Sequence, residues 1–264
     1  MNILFLGSGT STGVPVIGCD CRVCCEARRP GSRQARLRSS VLVQTAQTTL
    51  LVDSGPDLRQ QALRYGLTAI DAVVYTHQHL DHVAGFDELR AFCWHRDSPL
   101  PMYAGPQTLA QLRQMYAWAF DPSNTWKGYV HPDAHDHGGK PFVVGDVEVC
   151  PVPVVHGRVE TFGYVFRSGG RSFGYVPDIK ELPEASAPLL QGLDALAMDA
   201  LGTVPHFTHL TVEENIALMH RLQPKLGLVT HTGHRADYED LAAGRFPDWP
   251  SFLRPAYDGL RVEL

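Results

Sequence analysis

No apolar run in this sequence approaches the ~18 residues that a membrane-spanning helix needs, so no bilayer-embedded protein and no membrane partner is expected. A basic excess is also missing: 23 Lys and Arg stand against 28 Asp and Glu, a formal net charge of −5. That balance argues against nucleic acid or an anionic membrane as a general partner. Short-period repeats and low-complexity stretches are absent, which removes solenoids and disordered arrays. The opening run MNILFLG has no basic start and is too short for the apolar part of an export signal. A reducing, cytoplasmic setting is therefore expected, where thiols bind metal more readily than they form disulfides. What is present suits a folded unit. Hydrophobic residues make up 44% of 264, enough for a core, and one α/β domain over residues 1–264 is expected.

Apolar runs bounded by Gly, Pro or Asp predict strands at 2–6, 40–44, 48–53, 70–75, 100–104, 141–144, 146–150, 162–167, 171–176, 194–199, 226–230 and 260–264. Helical patterns cover 56–65, 85–93, 106–117, 184–190 and 212–222. The last has a start signal, because Thr211 followed by Glu214 reads as a capping box.

The most informative stretch is His77-Gln78-His79-Leu80-Asp81-His82, which places four potential metal ligands within six residues. It follows the apolar run from Ile70 to Tyr75, so a buried strand would hold a ligand-rich turn on a rigid edge. His77 and His79 are two apart and point the same way in extended chain, where they can share one ion. Asp81 and His82 can turn to a second. This H-x-H-x-D-H spacing resembles the signature of the metallo-β-lactamase superfamily. The family's remaining ligands are found in order, each at a strand end: His156 after Pro151–Val155, Asp178 after Phe173–Pro177, and His231 after Leu226–Thr230. The resemblance implies that His77, His79 and His156 hold one metal, that Asp81, His82 and His231 hold the other, and that Asp178 bridges them. It also implies the fold, an αββα sandwich of two mixed sheets flanked by helices; the pattern of elements alone shows only mixed α/β.

Cys19-Asp20-Cys21-Arg22-Val23-Cys24-Cys25 packs four of the six cysteines into seven residues. In a reducing setting this reads as a zinc cluster. A C-x-C-x2-C group needs a fourth ligand to close a tetrahedral site, and His234, three residues after His231, is the candidate. Cys25 competes with Cys24 for the third thiolate position. The early G-C-x-C-x2-C with the late H-x2-H is similar to the phosphoribosyl 1,2-cyclic phosphate phosphodiesterases of the carbon–phosphorus lyase pathway. In that family the extra zinc is structural, and a homodimer is implied. The resemblance runs from the Gly-rich turn Leu6–Pro15 to the closing segment Tyr257–Leu264. One departure is Ile179-Lys180 after Asp178, where the family usually has small residues.

A hydroxide held between two such ions would be a strong nucleophile near neutral pH, and both ions would offset charge on a phosphodiester. Asp81 and His209 are taken as the catalytic residues. His209 matches the family's catalytic His in position, lies just before the capped helix, and would protonate the leaving alkoxide; His206 is its rival. Asp199, ending a strand, is expected to orient a loop or a ligand histidine. The basic stretch Arg28, Arg29, Arg33, Arg36 and Arg38 reads first as a solvated face. Before Ser39-Ser40 it could also reach a phosphate, which makes Arg38 and Ser39 the candidate substrate-binding residues. The ligand-rich run His131–Gly139 reads as a turn between strands, with Gly138-Gly139 at its tip. Trp94, Tyr116, Trp118 and Trp126 suit core packing or a dimer surface better than base stacking.

The expected function is hydrolysis of a small cyclic, phosphoribosyl- or nucleotide-like phosphodiester by two zinc or manganese ions, within phosphonate metabolism as the resemblance implies. The alternatives are another hydrolase of the superfamily, acting on a lactone, thioester or transfer-RNA precursor, or a binding relative without turnover. A thioester or lactone hydrolase does not need the arginine stretch. A transfer-RNA processor usually carries an extended basic arm, which is missing here. A complete ligand set with His209 argues against the binding relative.

Overall fold

Alternation along the central strands decides the architecture. Ile3 and Phe5 pack in one apolar cluster, and Leu4 and Leu6 in another. Val41 and Val43 oppose Leu42 in the same way, and Leu50 and Val52 oppose Leu51. A strand whose successive side chains both meet apolar partners is buried on two faces. It must therefore lie between another sheet and a layer of helices.

The computed structural model describes residues 1–94 and 96–264. The first sheet has the order β14-β1-β2-β3-β4-β5-β6. Its strands are β1 (Asn2–Gly7), β2 (Ser40–Gln44), β3 (Thr49–Val52), β4 (Ala72–Val74), β5 (Leu100–Ala104), β6 (Pro132–Asp136) and β14 (Arg261–Glu263). The second has the order β13-β12-β11-β10-β9-β8-β7. Its strands are β7 (Phe142–Val144), β8 (Val147–His156), β9 (Val159–Ser168), β10 (Arg171–Val176), β11 (Ala195–Asp199), β12 (Leu226–Thr230) and β13 (Leu253–Pro255). Both are mixed: β3 to β6 run parallel, as do β10 to β13, while β1–β2 and β8–β9 are antiparallel. Between them lie Ile3, Phe5, Val52, Val74, Tyr164, Phe166, Phe173 and Ala197. Leu58, Phe86, Leu109 and Leu112 cover the outer face of the first sheet, and Val212, Ile216, Met219 and Leu222 that of the second. This is the expected αββα sandwich. Each large apolar side chain fully buried in it contributes about 1.5–3 kcal/mol.

All twelve expected strands are present, and two more join them. β13 was not foreseen. β6 lies where a turn was expected in His131–Gly139; it begins at a proline and sits at the outer edge of its sheet, where a missing N–H costs no ladder bond. β8 and β9 run further than expected, forming one hairpin with His156 paired to Val159 at its tip. Pro151 and Pro153 had masked that length. They lie beyond the reach of β7, which pairs only with Val147–Val149.

The capping box is present: Thr211 accepts from the Glu214 N–H, and the Glu214 carboxylate accepts from the Thr211 N–H at 2.7 Å. The expected helix at 106–117 breaks at Tyr116 into Pro106–Met115 and Ala117–Phe120. The one at 85–93 is a 3-10 turn, Phe86–Leu89, followed by Arg90–Cys93. That at 56–65 starts at Leu58, and that at 184–190 is one turn, Ala187–Leu190. Short helices at Arg22–Ala27, Leu80–Val83 and Tyr238–Ala242 were not foreseen. Tyr116 and Trp118 pack around Phe86, whereas Trp94 and Trp126 are exposed. Among the described residues no helix is long and apolar enough to cross a membrane.

Candidate metal centre

Strand ends converge on one cleft. His77 and His79 follow β4, and His79 leads into the helix Leu80–Val83, which carries Asp81 and His82. His156 ends β8, Asp178 follows β10, Asp199 ends β11, and His231 follows β12. Their ligand atoms gather in overlapping groups: His77, His79 and His156; His77, His82 and Asp178; Asp81, His82 and His231; His156, Asp178 and His209. All seven expected ligands are thus brought together, with Asp178 shared between two halves of the cluster and His209 beside it.

Three observations test whether the cluster fits metal. A tetrahedral ion about 2.0–2.1 Å from nitrogen keeps two nitrogens about 3.3 Å apart. His79 Nδ1 lies 3.3 Å from His156 Nε2, at that separation, and 2.8 Å from His77 Nε2, closer than it. Second, His82 Nε2, His231 Nε2 and Asp178 Oδ2 are buried without a hydrogen-bond partner, although His82 Nε2 stands 3.0 Å from Asp178 Oδ2. Buried polar atoms left this way are costly unless something is bound between them. Third, the outward nitrogens are engaged. His77 Nδ1 meets Thr76 Oγ1 at 3.0 Å, His82 Nδ1 meets Asp53 Oδ2 at 2.7 Å, His156 Nδ1 donates to the Thr208 carbonyl at 2.8 Å, and His231 Nδ1 meets Ser39 Oγ at 3.2 Å. Such partners fix the ring and leave its other nitrogen for an ion. The residues fit bound metal.

The electrostatics agree. Burial holds His77 well below its ordinary value, lowers His79 and His156, and lowers His231 to about 4, so these rings stay neutral as ligands must. His82 goes the other way. Burial opposes its charge, but Asp81, Asp178 and Asp53 outweigh it. Three carboxylates around one buried ring are a place for cations.

Asp53 is a functional residue that the sequence reading missed. It is fully buried in the left-handed region, φ 63°, and also accepts from the Thr76 N–H and hydroxyl at 2.8 and 2.9 Å. The available signal was an Asp ending the apolar run Leu50–Val52 before Ser54-Gly55. Gly55 lets this turn lie against the ligand helix, since a Cβ there would stand 2.1 Å from the Asp81 carbonyl oxygen. Gly55→Ala should therefore displace Asp81, costing about 1–3 kcal/mol and one active-site metal equivalent. Melting and metal analysis check this; wild-type values for both would contradict it.

His209 Nδ1 bonds Asp199 Oδ2 at 2.9 Å and stands 3.9 Å from Asp178 Oδ1. Burial disfavours its charge, yet the Asp199 carboxylate overrides that and raises the ring above its ordinary value. His206 lies beside it, ring centres 5.2 Å apart, with Nδ1 taken by Thr208.

The second cluster also closes. Cys19, Cys21 and Cys24 Sγ lie 3.3, 3.6 and 3.5 Å from His234 Nδ1. An ion about 2.3 Å from sulfur and about 2.0–2.1 Å from nitrogen sets that separation near ~3.6 Å. The Cys24 N–H lowers the Cys21 thiol, while burial pushes Cys24 up to about 11, so Cys24 needs a cation in contact to ionise. Cys25 is exposed and donates to the Asp20 carbonyl, outside the group.

The basic stretch takes a different place from the one expected. Arg36 is buried and donates to the Gly233 and Ala236 carbonyls; Arg33 stacks 4.4 Å over Tyr257; Arg28 donates to the Cys19 carbonyl. Arg38 is paired with Asp57 at 3.2 Å and donates to the Ser11 carbonyl. Ser39 is fully buried and donates to the Gly9 carbonyl behind His231, so it has no face for substrate. These side chains brace the loops around both clusters. The Ile179-Lys180 departure is absorbed: Ile179 packs in the core, and the Lys180 ammonium bonds Glu214 at 2.7 Å.

Comparison with known proteins agrees with this geometry. The model of the β-lactamase superfamily domain matches residues 48–232. A solved structure described as a new diphosphatase from the PhnP family superposes with a TM-score of 0.88 at 36% identity, over 99% of this chain and 96% of that one. Zinc-bound PqqB from Methylobacterium extorquens shares the fold, with a TM-score of 0.81 at 24% identity over 100% of both chains. A protein named octanoyltransferase from Porphyromonas gingivalis is 35% identical over 271 residues, 99% of this chain. The chain spans about half of that relative, 51% of its length. Fold, ligand-bearing strand ends and matched residues together make the chain a member of the metallo-β-lactamase superfamily, with a metal-dependent hydrolase fold.

Proposed function

We propose that the protein is a two-metal phosphodiesterase acting on a small cyclic, phosphoribosyl- or nucleotide-like phosphodiester. The observation that carries this is His209, held by Asp199 against the metal cluster: a proton donor fixed beside Asp178, outside the seven ligands expected from the motif. His77, His79 and His156 would hold one ion, Asp81, His82 and His231 the other, with Asp178 between them. When bound, zinc or manganese ions supply positive charge for the phosphoryl oxygens and lower the pKa of water. The chain's own residues do the rest. Asp81 and Asp178 would hold the ions in place, and the ring of His209 lies beside Asp178 on one side of the cleft. As the oxygen of water bonds to phosphorus, giving up its proton to solvent, the scissile P–O bond breaks. The leaving oxygen keeps the bonding pair and takes the proton from His209, which is restored from solvent. The cysteine cluster would hold a structural zinc. Free thiols suit a reducing cytoplasm.

The diphosphatase described for the neighbour of 36% identity supports phosphoryl chemistry. The octanoyltransferase name is weaker support for acyl chemistry, because about half of that protein has no counterpart here. A thioester hydrolase would have little need of a protonated histidine, since thiolates leave without a proton.

His209→Ala should slow a diester with an alkoxide leaving group by about 10²–10⁴-fold, the range of general acid catalysis. A p-nitrophenyl diester, whose leaving group needs little help, should lose far less. The wild type should lose activity on the alkyl diester as pH rises past the point where His209 gives up its proton, and the variant should lack that limb. Metal content should not change. Equal losses on both substrates would make His209 a phosphate-positioning residue; no loss on either would remove it from the mechanism and turn attention to His206.

A further inference from the structure

The two edges of the sandwich are closed differently. At the β6–β7 edge an aromatic stack spans the sheets: Phe142 lies on Tyr103 with ring centres 4.3 Å apart, and His137 stacks on Phe142 at 5.9 Å. At the other edge the outermost strands are β13 and β14, and a cavity of about 490 Å³ opens between them. That volume is within the range of small-molecule sites. Leu228 and Val262 on its wall belong to the layer between the sheets, and Leu226 and Leu260 pack against that layer. The polar rim sets Arg33, Arg254 and Arg261 against one carboxylate, Glu263. This is a local cationic excess in a chain of net charge −5. Arg254 and Arg261 are exposed, and their guanidinium groups have no ion-pair or hydrogen-bond partner among the described residues. Arg33 is held in place: it lies 4.4 Å over the Tyr257 ring and donates to the Tyr238 hydroxyl at 3.1 Å. Among the described residues no carboxylate takes its other donors. A guanidinium fixed on a ring face keeps its edge free for a planar anion and has less rotamer freedom left to lose on binding.

We infer that this slot is a second ligand site, separate from the metal cleft, for an unbranched aliphatic chain that ends in a carboxylate. The tail lies along Leu226, Leu228 and Val262, and the carboxylate meets Arg33 at the rim, in the field of Arg254 and Arg261. Charge sets the head group, because the two oxygens of a carboxylate match the parallel donors of a fixed guanidinium. The walls set the tail: they are largely aliphatic, and the rings of Tyr238 and Tyr257 already meet Arg33, at 5.6 and 4.4 Å. The site stands independently of the reaction catalysed at the metals.

Calorimetry on the metal-loaded protein tests this with straight-chain carboxylates below their micelle concentrations. Octanoate should bind at one site per chain. Hexanoate should bind about tenfold more weakly, the loss of two buried methylenes, and acetate not at all. Octanol, which has the tail without the charge, should bind at least about tenfold more weakly than octanoate. Ala242→Trp adds a large side chain at an exposed lining position; it should abolish octanoate binding and leave metal content at the wild-type value. Arg33→Ala should weaken binding by about 10–100-fold, the loss of one charged hydrogen-bonded contact. If Arg33→Ala does not fold, Ala242→Trp decides alone. Octanoate binding that survives in Ala242→Trp places the carboxylate at the metal cleft and overturns the inference, as does the absence of saturable binding to the wild type. A dimer by light scattering that Ala242→Trp dissociates, with octanoate inert, assigns the slot to a second copy of the chain and overturns it too.

Discussion

Replacing Asp178 with alanine should abolish turnover, on the order of 10³-fold or more, because several kcal/mol of charge stabilisation depends on ions that this carboxylate joins. Asp178 is 2% exposed, and its oxygens lie 3.0 Å from His82 Nε2, 3.4 Å from His231 Nε2 and 3.5 Å from His156 Nε2. Its oxygens thus meet ligands of both halves of the cluster. Both sheets pack without it, so the fold should survive. Far-UV circular dichroism should remain near wild type while metal analysis shows fewer active-site equivalents. Full activity with undiminished two-metal occupancy would sink the bridging role.

The second large effect is on stability. Cys21→Ser should release one metal equivalent and lower the melting temperature by roughly 10 °C, the size expected for a few kcal/mol in a chain of this length. The cluster ties the segment Cys19–Cys24 to the loop after β12, which Arg36 also grips at Gly233 and Ala236. A closed tetrahedral site has no open position for substrate, so kcat per folded molecule should stay within a few-fold. Cys25→Ser, at an exposed thiol outside the group, should be nearly silent. Unchanged metal content and melting temperature in Cys21→Ser would contradict the structural site. Loss of zinc in Cys25→Ser would move the ligand role from Cys24 to Cys25.

The ligands were legible because metal chemistry writes itself into spacing. His77, His79, Asp81 and His82 fall within six residues, and each later ligand follows an apolar run that must be a strand. The residues that aim those ligands were less legible. Asp53 acts from another strand through a 2.7 Å bond to His82, and no spacing rule links residues 29 apart. Asp199 was expected to orient a loop or a ligand histidine, but its partner is His209, outside the expected ligands, which emerged only once β11 and the loop before Val212 were side by side. The arginine stretch misled for a similar reason. A run of like charges says nothing of which guanidinium is buried, and Arg36 turned out to be a brace inside the fold. In β8, the prolines hid half a strand because their tolerance depends on which neighbour is missing at the sheet edge. The slot between β13 and β14 joins Arg33 to strands near the end of the chain, and no motif links them.

The central claim concerns the substrate class, a phosphodiester. The measurement that tests it most directly is steady-state hydrolysis by the metal-loaded protein of bis(p-nitrophenyl) phosphate, set against p-nitrophenyl phosphate and an S-acyl thioester. A two-metal phosphodiesterase should cleave the diester, with kcat/KM at least about a hundredfold above the monoester and the thioester, a difference of about 2.7 kcal/mol in transition-state binding. Rapid thioester cleavage with an inert diester would contradict the account and make the centre that of an acyl hydrolase.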